Sequence, residues 1–287
     1  MKHVRKTTTA AAAALALIPA VAFAATIDGG PGNERLRGTN AADVINGNGG
    51  NDRIHGRNAD DQLNGGEGND RVFGGQGNDT ILGVQGNDLL NGGPGDDAIT
   101  GDANNTGDRT SFDRIYGAAG NDTLKGGDSR DRIHGGSGND TSDGEAGNDR
   151  MSGGTGDDKQ NGGAGNDTIY ANVGVDVSNG GDGNDTLWAL ARKDVTPGPN
   201  GEVDQTGDTL DGGNGNDRFR TRDGEVDRIT CGEGKDRVFA DLVDVITDAT
   251  AENPNGSCET VQRRAPRAAD SKSEDAQQSP AEEKVAS

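Results

Sequence analysis

A single apolar residue recurs at every ninth position over most of this 287-residue chain. In the stretch GGEGNDRVFGGQGNDTIL, residues 65–82, Val72 and Ile81 occupy this position, and a glycine-rich turn follows soon after each of them. Because side chains alternate along a strand, the apolar residue of each three-residue segment points inward and its two neighbours point outward. The pattern therefore predicts an all-β chain of many short strands separated by turns.

The repeating unit is nine residues long and carries an aspartate two places before the apolar residue. With Gly29 as the first position, 21 units run to Phe239, and position six is Asp in 20 of them and Glu34 in the first. Two insertions, near residues 101–112 and 189–207, interrupt the frame. Glycines at positions one, two and four favour positive φ and expose carbonyl oxygens in a tight turn. A flexible glycine linker does not account for such regular spacing.

The composition lies outside the range of ordinary globular domains. Leu, Ile, Val and Phe make up 44 of the 287 residues, and the chain has 50 glycines and a net charge of -21. Such a chain is expected to be disordered unless something neutralises the acidic residues and supplies the missing folding energy. Carboxylates and turn carbonyls are the ligands that Ca²⁺ prefers, so calcium is the candidate.

The units resemble the RTX nonapeptide G-G-x-G-x-D-x-U-x of the hemolysin-type calcium-binding repeat family over residues 29–239. The resemblance implies a right-handed parallel β-roll solenoid with two nonapeptide repeats per coil, calcium ions in the turns and a fold that depends on them. It also implies that aspartates one coil apart flank each ion, for example Asp52 with Asp70 and Asp61 with Asp79. The expected metal ligands are Asp43, Asp52, Asp61, Asp70, Asp79, Asp88, Asp97, Asp113, Asp122, Asp131, Asp140, Asp149, Asp158, Asp167, Asp185, Asp217 and Asp236.

Alternate repeats differ from each other, as two different sheets in one coil would require. Arginine occupies position seven in eight of the eleven odd-numbered repeats, and position nine of these repeats carries the aromatic and histidine residues. Three even-numbered repeats have Ser142, Gln160 and Ser178 at the inward position, spaced by 18 residues, so these side chains should stack on one another. They indicate either tolerated drift or a locally weak or hydrated segment.

The arginines and aromatic residues of the odd-numbered repeats define a possible partner face. Cation–π and polar contacts would suit an acidic polysaccharide, a cell-wall polymer or a second copy of the chain. Alternatively, the arginines only offset the neighbouring acid, and residues 189–205 cover Tyr170 and Trp188. The residues of this face are Arg53, Arg71, Phe73, Arg132, Arg150, Tyr170 and Trp188.

The two ends of the chain have compositions of their own. Residues 1–24 combine basic residues, an alanine-rich apolar run and an A-x-A site, which predicts a cleaved secretory signal peptide. A membrane anchor is disfavoured because the apolar stretch is short and no stop-transfer pattern follows it. Residues 262–287 are typical of a disordered tail. We therefore expect an extracellular or cell-surface protein with no transmembrane segment and no nucleic-acid partner.

The chain has two cysteines, Cys231 and Cys258. In a secreted protein they favour a disulfide over two free thiols. This bond would close a C-terminal cap, residues 240–261, over the open end of the roll formed by residues 25–239. Secreted actinobacterial RTX-like proteins are similar in such an ending, whereas classical RTX toxins and proteases resemble this chain only in the repeats.

Motifs of catalysis are missing from the sequence. It contains no H-E-x-x-H, G-x-S-x-G or P-loop motif, and no stretch outside the repeats is long enough for a catalytic domain. The sequence therefore predicts a calcium-binding structural or adhesive module rather than an enzyme. The alternatives are a polymer-binding module that acts through the arginine and aromatic face, or an accessory module of an extracellular hydrolase.

Overall fold

The chain winds into a parallel β-solenoid. The computed structural model describes residues 23–102, 111–189, 207–251 and 253–264, so the predicted signal peptide, the insertions and the predicted tail lie almost entirely outside the described residues. The strands are β1 (Thr26–Asp28), β2 (Arg35–Arg37), β3 (Val44–Asn46), β4 (Arg53–Asn58), β5 (Gln62–Glu67), β6 (Arg71–Gln76), β7 (Thr80–Gln85), β8 (Leu89–Pro94), β9 (Ala98–Thr100), β10 (Arg114–Ala119), β11 (Thr123–Gly127), β12 (Arg132–Ser137), β13 (Thr141–Glu145), β14 (Arg150–Thr155), β15 (Lys159–Ala164), β16 (Thr168–Ala171), β17 (Val177–Asp182), β18 (Thr186–Ala189), β19 (Thr209–Gly215), β20 (Arg218–Thr221), β21 (Arg228–Thr230), β22 (Glu233–Gly234), β23 (Arg237–Ala240), β24 (Val245–Ile246) and β25 (Thr260–Arg263).

Successive strands alternate between two sheets, one of 13 strands and one of 12 strands, except that β21 and β22 both belong to the 13-stranded sheet. Within each sheet a strand pairs in parallel with the strand one coil further along. Arg53 of β4 pairs with Arg71 of β6, and Gln62 of β5 pairs with Thr80 of β7, an offset of 18 residues in both sheets. The predicted coil of two nonapeptide repeats is confirmed, and the fold is the all-β parallel solenoid that the sequence predicted.

The insertions lengthen single coils without disturbing the register. Across the first insertion Leu89 pairs with Arg114, 25 residues away. Across the second, Val177 pairs with Thr209, 32 residues away. The offset returns to 18 residues between the two insertions, whereas just beyond the second it is 19 residues, as in the pairing of Thr209 with Arg228. The strands before and after each insertion nevertheless lie in adjacent coils. No helix among the described residues is long and apolar enough to cross a membrane.

The core is narrow, since most strands contribute a single inward side chain to it. In four successive strands of the two sheets, Ile54, Leu63, Val72 and Ile81 are at most 2% exposed. The residues before them are exposed and the residues after them are half-buried, so the predicted inward position eight is confirmed. One hydrophobic cluster made of these residues runs along the solenoid. Its stability is therefore close to a sum of contacts between neighbouring coils.

A short polar column interrupts this core. Ser142 pairs with Gln160, and Gln160 pairs with Ser178, so the predicted stacking of the three residues is confirmed. All three side chains are buried. With its amide oriented to match its neighbours, Gln160 donates to Ser178 Oγ and to the Tyr170 carbonyl, both at 3.1 Å, and accepts from the Gly153 N–H at 2.9 Å. Hydrogen bonds within the protein thus compensate for the buried amide.

The C-terminal segment extends both sheets by one strand each. β24 pairs with β21, and β25 pairs with β23. The predicted disulfide between Cys231 and Cys258 is present, with the two Cα atoms 5.3 Å apart and both residues buried. It joins the residue that follows β21 to the loop before β25. Residues 245–263 therefore add a final strand to each sheet, and the last strand extends two residues into the predicted tail, which begins at residue 262.

Candidate calcium sites in the turns

Glycines in the turns serve two different steric needs. At positions two and four of the turn before β6, Gly66 and Gly68 have φ of 106° and 122°, and a Cβ on either would collide with the backbone of Asn48 or Gly50 one coil earlier. At position one, Gly65 lies outside this left-handed region. The expectation that all three glycines supply positive φ is therefore wrong for position one.

The position-one glycine instead leaves room for oxygen ligands. A Cβ on Gly65 would overlap Oδ2 of Asp70 and would lie 2.9 Å from the carbonyl oxygen of Gly83. A carboxylate oxygen and a backbone carbonyl oxygen therefore lie next to the same small space, which only glycine leaves open. The same arrangement recurs in the next turn around Gly74, with Asp79 and Gly92. Such a space lined with oxygens matches the ligand preference of a hard cation.

Position-six aspartates form two continuous ladders, one along each row of turns. The backbone N–H of Asp52 donates to Oδ1 of Asp70 at 2.7 Å, and the N–H of Asp61 donates to Oδ1 of Asp79 at 2.8 Å. Aspartates predicted to be neighbours are therefore in adjacent coils. These hydrogen bonds fix the Oδ1 atoms, so each carboxylate group has a defined orientation.

The second oxygen of these carboxylates is buried and lacks a hydrogen-bond partner. This state is costly for a carboxylate, because burial removes its hydration. A cation at each turn would satisfy these atoms, so the residues present fit calcium. The ladder aspartates with such an Oδ2 atom are Asp52, Asp61, Asp70, Asp79, Asp88, Asp97, Asp113, Asp122, Asp131, Asp140, Asp149, Asp158, Asp167, Asp185, Asp208, Asp217, Asp227 and Asp236.

The first predicted ligand, Asp43, differs from the rest. Its Oδ1 accepts from the N–H of Ala25 at 2.6 Å, and its Oδ2 accepts from the N–H of Thr39. Thr39 Oγ1 also donates to Oδ1 at 3.1 Å. Both carboxylate oxygens are therefore already hydrogen-bonded, which makes this first turn a weaker candidate for a cation than the later ones.

Burial dominates the electrostatics of the ladders. It raises the pKa of Asp79 to about 7, that of Asp88 to about 8 and that of Asp113 to about 9. The hydrogen bond that each carboxylate accepts from a backbone N–H lowers the pKa of that carboxylate. The negative charge of a neighbouring ladder aspartate raises the pKa again. Each carboxylate therefore needs either a proton or a cation in the folded chain.

The ladders are longer than the set of ligands expected from the sequence. Asp176, Asp208 and Asp227 also occupy position six and take part in the ladder. Beyond the last repeat, Asp244 accepts from the Asp227 N–H at 3.3 Å, and Glu259 accepts from the Asp236 N–H at 2.6 Å. The sequence signal for these two residues is an acidic residue two places before an apolar one, in DVI and ETV. It lacks the glycines that mark the other turns.

One known protein family has the same repeat pattern as this chain. The RTX calcium-binding nonapeptide repeat matches residues 28–63, 49–81, 73–106, 110–142, 143–160, 152–187 and 204–225. The chain belongs to the RTX calcium-binding nonapeptide repeat family. A comparison with curated proteins found no match. The RTX repeats are calcium-binding units, and the ladder aspartates are the side chains that would hold the ions. When bound, calcium would supply the positive charge that the buried carboxylates lack.

The arginine and aromatic residues of the predicted partner face lie on the 12-stranded sheet, and many of them contact one another. The guanidinium carbon of Arg53 lies 5.4 Å from the ring centre of Phe73, and that of Arg150 lies 4.7 Å from the ring centre of Tyr170. Tyr170 stacks on Trp188 with ring centres 5.8 Å apart and is only 8% exposed. Tyr170 therefore offers little surface to a partner.

Two residues that contact this face, Arg220 and Phe112, were not predicted from the sequence. The guanidinium of Arg220 lies 4.4 Å from the ring centre of Trp188, and that of Arg132 lies 5.6 Å from the ring centre of Phe112. Arg220 occupies position nine of its repeat, so its pairing with Trp188 was readable from the period. Phe112 lies just before a repeat, where no periodic signal exists. Arg53, Arg71 and Arg132 of this face are exposed, and Phe73 is half-buried.

Proposed function

We propose that this RTX protein is a secreted structural or adhesive module whose fold depends on calcium. The main observation behind this proposal is the double ladder of buried carboxylates, in which 18 aspartates have a buried Oδ2 atom without a hydrogen-bond partner. Without a cation, so many buried acidic groups destabilise the folded chain. The buried disulfide and the signal-like residues 1–24 support an extracellular site of action, where calcium is abundant.

Neighbouring aspartates in one turn provide a matched test of this function. Asp61 belongs to the ladder and is buried, whereas Asp60 is a position-five residue that accepts from the exposed Asn78 N–H. Other turns have Asn at position five, for example Asn69. Asp60→Asn and Asp61→Asn remove the same charge, and both keep an oxygen that can accept the existing hydrogen bond.

Calcium titrations followed by far-ultraviolet circular dichroism separate the two variants. We expect Asp61→Asn to raise the calcium concentration needed for the strand signal and Asp60→Asn to leave it near the wild-type value. Magnesium should not replace calcium, since it is smaller and demands a stricter octahedral geometry. Equal midpoints for both variants, or a full strand signal in excess chelator, would contradict the proposal.

A second candidate function is calcium-dependent binding of an acidic polysaccharide or cell-wall polymer. It is favoured by Arg53, Arg71 and Phe73, which lie together on adjacent strands of one sheet. The two arginines place positive charge on an otherwise acidic protein. We expect replacement of all three by Ala to weaken binding on a glycan array in calcium. A control on the opposite sheet of the same coils, Gln62→Ala with Thr80→Ala, should bind as the wild type does.

The same variants address the remaining possibilities. Light scattering in calcium would detect self-association, which the triple Ala variant should reduce if this face joins two copies. Wild-type binding and association by the triple variant would remove the partner face and leave the structural role. We assign no catalytic step to the chain, so hydrolase activity in purified protein would point instead to the accessory role or to an enzyme.

A further inference from the structure

One turn of the solenoid carries acidic residues where the other turns carry glycine. The turn between β20 and β21 reads RDGEVD, residues 222–227. Arg222, Asp223 and Glu225 replace the glycines of positions one, two and four. Positive φ shifts to Gly224, with φ of 99°, and its N–H donates to Asp241 Oδ2 at 2.8 Å. This turn therefore brings two extra carboxylates to a place where RTX turns ordinarily present backbone.

Three acidic side chains converge at this turn. Asp208, Asp223 and Asp227 each place a carboxylate oxygen within 4.8 Å of the other two. Within the described ranges, no other set of three acidic, histidine or cysteine side chains meets this closely. Glu225 is also buried nearby, at 4% exposure. Such a set has one more carboxylate than an ordinary turn, where two position-six aspartates from adjacent coils lie beside backbone carbonyls.

Two of these carboxylates are buried, and each has one oxygen without a hydrogen-bond partner. Asp208 and Asp227 are both 0% exposed. Their Oδ1 atoms accept from the N–H groups of Asp176 and Asp208, at 2.9 and 2.8 Å. Their Oδ2 atoms are buried and have no hydrogen-bond partner. Burial, together with the charges of Asp176, Asp223 and Glu225, raises the pKa of Asp208 to about 9. The geometry thus leaves unsatisfied oxygens inside a strongly negative pocket.

We propose that Asp223 joins the ladder aspartates Asp208 and Asp227 in a carboxylate-rich site for a hard cation that binds Ca²⁺ more tightly than the ordinary turns do, an inference that rests on the proposed calcium function. The affinity of calcium sites rises with the number of charged ligands, so three carboxylates should bind more strongly than the two of an ordinary turn. This site therefore fills first when calcium is added, in the last coils before the Cys231–Cys258 bond. The same oxygens would suit a trivalent lanthanide such as Tb³⁺.

The test is a calcium titration of the full chain by calorimetry, with three variants. In the wild type the Glu225 N–H donates to Asp223 Oδ1 at 3.0 Å. Asp223→Asn removes the extra charge but keeps a side-chain oxygen that can accept this hydrogen bond. Asp182→Asn is the matched control, because Asp182 is an exposed turn acid at position three of an ordinary repeat. Asp61→Asn reports on the ordinary sites.

We expect the wild type to show one ion bound about tenfold or more tightly than the rest. Asp223→Asn should lose this tight class, and Asp182→Asn and Asp61→Asn should keep it. An unchanged tight class in Asp223→Asn, or no tight class in the wild type, overturns the site. Failure of the proposed calcium function would look different, since Asp61→Asn would then leave the weaker class unaltered.

A measurement on the wild type covers the case in which Asp223→Asn does not fold. Crystals of the calcium-loaded wild type, exposed to about one equivalent of Tb³⁺, should show an anomalous peak about 2.3 to 2.6 Å from oxygens of Asp208, Asp223 and Asp227. Peaks in the ordinary turns alone would overturn the site. Asp208 and Asp227 themselves are not suitable first variants, because both belong to the ladder that orders the turns.

Discussion

Removing calcium at neutral pH should unfold the protein, and acid should restore the fold without metal. Burial raises the pKa of Asp88 and of Asp149 to about 8, from 3.8 in the unfolded chain. At about pH 7, folding without metal forces each carboxylate to take up a proton, which costs about 1.4 kcal/mol per pH unit between pH 7 and 3.8, or about 4 to 5 kcal/mol each. These two non-adjacent residues alone therefore oppose folding by about 9 kcal/mol, close to the ~5–15 kcal/mol that stabilises an ordinary domain.

The sign of this pH dependence is opposite to that of a protein held by salt bridges. Because the pKa is raised on folding, the folded chain binds more protons than the unfolded chain, and stability without metal falls as pH rises from about 4 through about 8. Circular dichroism in chelator should show little strand signal at about pH 7 and a gain towards about pH 4. Calcium should restore the signal at neutral pH. A metal-free strand signal that is full at neutral pH, or that grows as pH rises, would refute the reasoning.

Three further outcomes follow from the packing. Replacing Cys231 and Cys258 by Ser should lower the unfolding free energy in calcium by about 3 to 4 kcal/mol, from the loop of 27 residues, and reductant should have the same effect on the wild type only. Gly75→Ala should destabilise by more than about 1 kcal/mol in urea unfolding, because φ is 123° and a Cβ would strike the Arg57 backbone, whereas Gly49→Ala, with its nearest atom 3.9 Å away, should be tolerated. Gln160→Leu should cost about 1 to 3 kcal/mol in the same assay, since its buried partners lose their hydrogen bonds, and a more stable variant would contradict that account.

The sequence alone was sufficient for the period and the inward face. The recurring glycines, aspartate and apolar residue of one unit indicate where the chain turns. The alternation of Arg71 with Thr80 agreed with the coil of two units that the family resemblance implied. The stacking of Ser142, Gln160 and Ser178 followed from the same arithmetic. These properties can be predicted because a solenoid repeats one structural unit, and each unit contacts only its neighbours. Residues separated by one coil in the sequence are therefore neighbours in space.

Only the tertiary structure decided how each turn uses its residues. It showed that Gly65 leaves space for an aspartate oxygen rather than supplying positive φ, and that Tyr170 is buried against Trp188. It also placed Asp223 beside Asp208 and Asp227, although the turn that carries Asp223 departs from the repeat. A period predicts which residues are stacked, whereas the distances between carboxylates depend on the path of the backbone where the period fails. That path is set by contacts between coils, which a local pattern does not contain.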